Sequence, residues 1–167
     1  CVLEMISLFC DGRDMGVPKD LWKWVNEQPS SELKPEHSAA ISTIKEFFST
    51  INTDNKKLSA GKTEIKLILS LILYGYNELS GKLGFDINNF ANLIFNIALV
   101  TKSVKTFNMK RTPDSEEKLI SNLKEFGLFE YYQKNPEAFN NFALLRAGSH
   151  PQDEVKKFSI EIINLLK

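Results

Sequence analysis

Proline placement constrains this chain more than any other feature of its sequence. Five prolines share one context, in Pro18-Lys19-Asp20, Pro35-Glu36, Pro113-Asp114, Pro136-Glu137 and Pro151-Gln152-Asp153: each has an acid one or two residues later. Pro fits the first position of a helix because the N–H it lacks would be unpaired there, and a carboxylate in the first turn is favoured by the helix dipole. Each of the five therefore reads as a helix start. Thr112 and Asn135 stand where an N-cap oxygen is wanted and reinforce the third and fourth.

Stops are as clear as starts. Gly127 follows Phe126, Gly148 follows Arg146-Ala147, and Gly81 and Gly84 follow the apolar run that ends at Leu79. Glycine tolerates the left-handed conformation that closes a helix. Between starts and stops, apolar residues recur at helical spacing, as in Ile41, Ile44, Phe47, Phe48 and Ile51, or Leu119, Ile120, Leu123 and Phe126. No stretch alternates as a strand would. The pattern predicts an all-α bundle of about eight helices, at about 2–10, 18–28, 35–52, 59–80, 86–107, 113–126, 136–147 and 151–166, with an extra turn near 128–133. The helices at 59–80 and 86–107 are the most apolar and are expected to form a central antiparallel pair, with the amphipathic ones packed around them.

Connections are short and no Ser/Gly linker interrupts them, so the expectation is one helical domain over 1–167, without internal repeats. A chain of 167 residues buries roughly 70% of its unfolded surface, enough for a true core. It begins at Cys1 and not at Met, which suggests a segment of a longer protein. The first apolar run lacks the basic flank and small-residue cleavage site of a signal peptide, and the longest one, 67–76, falls short of the 18 or so residues that span a bilayer. The expected location is cytoplasmic, or a host cytosol for a secreted effector, and not transmembrane. Eighteen Lys, 14 Asn and 14 Ile against three Arg are the skew that AT-rich coding produces, a flavour shared by bacterial effector-like helical proteins. That speaks to origin and not to function.

Chemical motifs are sparse. Ala60-Gly61-Lys62-Thr63 has the end of a phosphate-binding loop, but Lys56 occupies the place of its first glycine and no strand precedes it. Ser59 as an ordinary N-cap is the better reading. His37 and His150 have no metal-ligand partner at i−3, and Asp11-Gly12-Arg13-Asp14-Met15-Gly16 has the wrong order for a calcium loop, so neither a metal nor a cofactor is expected. Cys1 and Cys10 lie nine apart on one helix, roughly 13 Å against the 7 Å a disulfide tolerates, so reduced thiols are expected. Cys10 beside Asp11, with His37 or His150, is the one set worth testing for catalysis; as an unpaired Cys at the end of an apolar helix it reads first as a small buried hydrophobe. Glu116-Glu117 and Asp153-Glu154 are first-turn acids that need no catalytic explanation.

Three features carry more. Lys102, Lys105, Lys110 and Arg111 bring four positive charges to a stretch with no acid between Asp86 and Asp114. Lys56, Lys57, Lys62 and Lys66 form a second cluster at the start of the preceding helix, and an antiparallel pair would bring both to one end as an anion site. Cations at a helix C-terminus also simply complement its dipole. An Asn row, Asn88, Asn92 and Asn96 with Asn89 adjacent, reads as a solvent face. Trp22, Trp24, Tyr131 and Tyr132 are candidate anchors for a protein partner, since an exposed aromatic is the usual interface anchor. With 21 Lys and Arg against 21 Asp and Glu, the balance argues against a surface tuned as a whole to nucleic acid. The expected function is a non-catalytic helical interaction module that contacts a protein partner or the rest of its parent chain. The alternative is a module that binds anionic lipid or phosphoinositide through its basic patch.

Overall fold

The computed structural model describes residues 2–12, 34–50 and 61–167. Eight helices and no strand occur among them: α1 (Val2–Asp11), α2 (Pro35–Thr50), α3 (Lys62–Leu71), α4 (Ile87–Lys110), α5 (Pro113–Glu125), α6 (Phe129–Lys134), α7 (Pro136–Leu144) and α8 (Gln152–Leu165). From α3 the chain passes without a break through a π-helical turn, Ile72–Tyr76, into a last short α-helical piece, Asn77–Leu79. The all-α expectation holds. The helix expected at 18–28 lies outside the described residues, whereas the extra turn near 128–133 is a helix in its own right.

Starts behave as their chemistry requires. Pro113 and Pro136 open α5 and α7 behind the N-caps Thr112 and Asn135; the Asn135 side chain accepts from the Ala138 N–H at 3.1 Å. Pro151 is the N-cap residue of α8 and not its first helical residue. Helix α3 begins at Lys62 behind Gly61, later than expected, and Ser59 lies outside the described residues. Asp86 caps α4 by accepting from the Asn88 and Asn89 N–H groups at 2.9 and 3.3 Å.

Helix α4 touches α3, α5 and α7; α8 touches α3, its π turn and α7; α1 lies on α2 and α3, and α6 on α5 and α7. Nothing in this packing singles out α3 and α4 as a central pair. Three neighbours on α4 explain its wide buried face, which includes Phe90, Ile94, Phe95, Ile97, Thr101 and Val104. Fully buried Phe47 of α2 ties that face to the π turn, its ring meeting Tyr76, Phe90 and Phe95 edge-on at 5.7, 6.1 and 6.4 Å. Such pairs add about 0.5–1.5 kcal/mol each beyond the burial of area.

The glycine within the π turn has a packing reason. A Cβ on Gly75 would lie 2.2 Å from Ile163 Cδ1 and 2.7 Å from its Cγ1, so α8 approaches as closely as it does because residue 75 has no side chain. Gly75→Ala would gain about 1 kcal/mol of helix propensity. It would also drive a methyl into buried Ile163, at a cost of about 1–3 kcal/mol that outweighs the gain. Urea unfolding is expected to show a net loss of stability for Gly75→Ala, and the double variant with Ile163→Val is expected to lose less than the two single losses added. Strict additivity would show that the two residues do not compete for the same space.

Candidate anion-binding groove

Beyond Val104 no residue of α4 is buried, so its last turn emerges from the core. Leu99, Lys102, Thr106 and Met109 recur every three or four residues and form one outward stripe, with Lys105 and Lys110 to either side. Met109 is 75% exposed. Arg111 ends the helix in the left-handed region, φ 49°, where its N–H donates to the Phe107 carbonyl at 2.8 Å. Glycine is the usual occupant of such a position, and a side chain there costs about 1 kcal/mol.

The chain then turns straight into α5. Thr112 Oγ1 accepts from the Ser115 N–H at 3.3 Å and Ser115 Oγ accepts from the Thr112 N–H at 3.0 Å, a reciprocal cap that fixes how α5 leaves the corner. Further along, Asn122 Nδ2 donates to Ser103 Oγ at 2.5 Å, and Asn96 Nδ2 donates to the Phe126 carbonyl at 3.2 Å. Asn88, Asn89 and Asn92 are exposed as the Asn row predicts, but Asn96 is half-buried because it clasps the end of α5.

Between α4 and α5 lies a groove of about 340 Å³. Lys102 and Lys118 stand on its α4 and α5 walls, Ser103 and Asn122 bridge it, and Leu99 and Phe126 provide apolar surface. No carboxylate lines it. Lys118 was not among the candidates from sequence, since it follows Glu116-Glu117 in an acidic first turn. Only the α4–α5 packing brings it opposite Lys102.

Most of the other described cations are engaged within the fold. Lys34 pairs with Asp11 at 3.1 Å, Lys66 with Glu4, and Lys167 with Glu78 at 3.2 Å. Lys124, Lys134 and Lys157 lie over the rings of Phe129, Tyr131 and Phe158. None of these described contacts involves Lys102, Lys105, Lys110, Arg111 or Lys118. Of the second basic cluster, Lys56 and Lys57 lie outside the described residues, Lys62 is exposed on the first turn of α3, and Lys66 is drawn to α1 by Glu4. Arg146 does tie that first turn to α4: it donates to Glu64 at 2.6 Å, to Thr101 Oγ1 at 3.0 Å and to the Ala98 carbonyl at 3.4 Å. Burial alone would raise the Glu64 pKa, but the Arg146 hydrogen bond and charge, with backbone N–H donors, hold it below the ordinary value.

The remaining candidates among the described residues are accounted for by their neighbours. Trp22 and Trp24 lie outside the described residues. Tyr131 and Tyr132 are half-buried against the core; Tyr132 meets Phe139 edge-on at 5.5 Å, and burial and the nearby Glu116 charge raise its pKa. Buried His37 shares a 2.9 Å hydrogen bond with Asp11, whereas His150 is held by Glu154 at 2.7 Å and the Ala147 carbonyl at 2.6 Å. Cys10 is a free thiol that donates to the Glu36 carbonyl at 3.4 Å. Burial, with the charges of Asp11 and Glu36, raises its pKa, and this is the reverse of what activates a nucleophile. Among the described residues no group of three or more His, Cys, Asp or Glu could hold a metal ion, and no helix is long and apolar enough to cross a membrane. No protein-family model, no curated protein and no solved structure matches this chain.

Arg146→Met is expected to lower stability by about 2 kcal/mol at neutral pH, because it leaves Glu64, 14% exposed, without its charged partner. A carboxylate whose pKa is depressed by folding stabilises above its unfolded value, ordinarily 4.5 here, and that increment is lost as pH falls through the folded value. Urea titrations should therefore show the gap between wild type and variant narrowing on acidification. A gap that stays constant would exclude the ion pair as its cause. Arg111→Gly is expected to raise stability by about 1 kcal/mol in the same assay, by relief of the left-handed backbone.

Proposed function

We propose that this chain is a non-catalytic helical interaction module that attaches to anionic membrane surfaces through the end of α4. The observation that carries this reading is the outward stripe: Lys102, Lys105, Lys110 and Arg111 stand together without a described carboxylate partner, beside exposed Met109 and Leu99. Cations next to exposed apolar side chains suit a headgroup layer, where the charges meet lipid phosphates and the apolar groups enter the acyl boundary.

A protein interface at Trp22, Trp24, Tyr131 and Tyr132 is the other expectation from sequence. It has less support, since the two tyrosines lean on the core. A nucleic-acid partner is disfavoured by a formal net charge of zero.

Co-sedimentation with phosphatidylserine vesicles at two salt concentrations tests the proposal. Each well-placed cation near an anionic leaflet is worth about 1 kcal/mol, so changing Lys102, Lys105, Lys110 and Arg111 to Glu should weaken binding by about a thousandfold or more. Wild-type binding should also fall as salt rises. A wild-type chain that stays in the supernatant at low salt would end this reading, and circular dichroism on the variant would show whether it keeps its helices.

A further inference from the structure

We infer that the α4–α5 groove is a discrete site for a single phosphomonoester group, and this deepens the membrane reading by naming what the module would select on that surface. A cationic stripe attracts any anion. A groove with counted donors does not.

The hydrogen bonds within the groove decide which donors remain. Thr106 Oγ1 donates to the Lys102 carbonyl at 2.8 Å and Ser115 Oγ donates to the Thr112 carbonyl at 2.8 Å, so neither hydroxyl hydrogen is available to a ligand. Ser103 Oγ accepts from Asn122, which leaves its own O–H to give, and the Asn122 amide has a second N–H beyond the one on Ser103. With the Lys102 and Lys118 ammonium groups, the groove therefore offers two positive charges and two neutral donors, with no carboxylate to compete.

That set matches a particular anion. A phosphomonoester carries a charge of about −1.5 to −2 at neutral pH and three terminal oxygens, so two lysines balance it and the donors can be shared among its oxygens. A phosphodiester or a carboxylate carries one charge and would leave one cation in the groove unbalanced. The space is larger than a phosphate needs: about 340 Å³ is at the small end of ligand pockets and admits part of the carrier, which would rest on Leu99 and Phe126. The cavity beside Phe85 and Leu166 does not offer this. It is smaller, about 180 Å³, Asp86 lines it, and its Lys167 is paired with Glu78.

A phosphomonoester reaches such a site either on a lipid headgroup or on a soluble metabolite, and the test separates the two. The probes are vesicles containing phosphatidylinositol 4-phosphate, vesicles containing phosphatidylserine at equal surface charge, and soluble glycerol 3-phosphate. The variant is Lys118→Met. Lys118 is exposed and lies off the α4 stripe, so the fold and general attraction to anionic vesicles should survive its loss. Wild type is expected to bind the phosphomonoester vesicles about tenfold more tightly than phosphatidylserine vesicles. Lys118→Met should abolish that preference and weaken phosphatidylserine binding by no more than the roughly fivefold that one cation near an anionic leaflet is worth. If the chain binds neither vesicle but glycerol 3-phosphate shifts the amide NMR signals of Ser103 and Asn122, and Lys118→Met removes those shifts, the site stands with a soluble ligand and only the membrane reading fails. Equal binding to both vesicles, with no shift from glycerol 3-phosphate, overturns the site and leaves the membrane reading intact. Absence of vesicle binding and of any shift overturns both.

Discussion

The broad apolar face of α4 is the constraint on which the rest of the structure depends. An amphipathic surface helix hides one stripe, but α4 must hide Phe90, Ala91, Ile94, Phe95, Ile97, Ala98, Val100 and Val104, and these spread over more of its circumference than one neighbour covers. It therefore takes α3, α5 and α7 as partners, and the positions of α2 and α8 follow through the π turn. What remains exposed on α4 is narrow by necessity. Its cations are concentrated there and in the last turn, where the buried face has run out, so the same constraint that builds the core also gathers the charge.

Positive charge is spread along much of this sequence, and residue type alone does not separate cations that build the fold from cations left for a ligand. Lys66 and Arg146 reach Glu4 and Glu64, and those pairs hold α1 to α3 and the start of α3 to α4. Exposed pairs such as Lys167 with Glu78 contribute little, since solvent and salt screen them. The cations on α4 and Lys118 have no such described partner. Lys102 and Lys118 share the groove with hydroxyls, an amide and apolar groups, the composition that the proposed anion site calls for.

Local chemistry was readable from sequence, and tertiary placement was not. Pro113 with Thr112 and Pro136 with Asn135 act at short range, so their reading survives into the fold. The segment 128–133 is too short for periodicity to separate a turn from a helix, and Asp86 caps α4 without the proline that marks the starts of α5 and α7. Asn96 looked like one more member of an exposed row, because its partner is a backbone carbonyl 30 residues away. Gly75 reads as a weakness inside a helix until Ile163 of α8 is seen against it. The candidate site divides in the same way. Its α4 half, Lys102 with Lys105, Lys110 and Arg111, stands out as a charge run, whereas Lys118 is masked by Glu116 and Glu117 and becomes part of a site only across the α4–α5 contact.

The corner between those helices links stability to the proposed role. A glycine at residue 111 would close α4 without strain, yet an arginine occupies the left-handed position and costs about 1 kcal/mol. The strain is tolerated because the corner is fixed from both sides: the Arg111 N–H is bound to Phe107, and the Thr112–Ser115 cap follows at once. A looser corner would let α5 swing and separate Lys118 from Lys102. The two lysines are exposed and line the same groove, and a fixed corner keeps the helices that carry them in that arrangement. An anion that bound there as proposed would meet walls already in place, so binding would need little reorganisation of the helices.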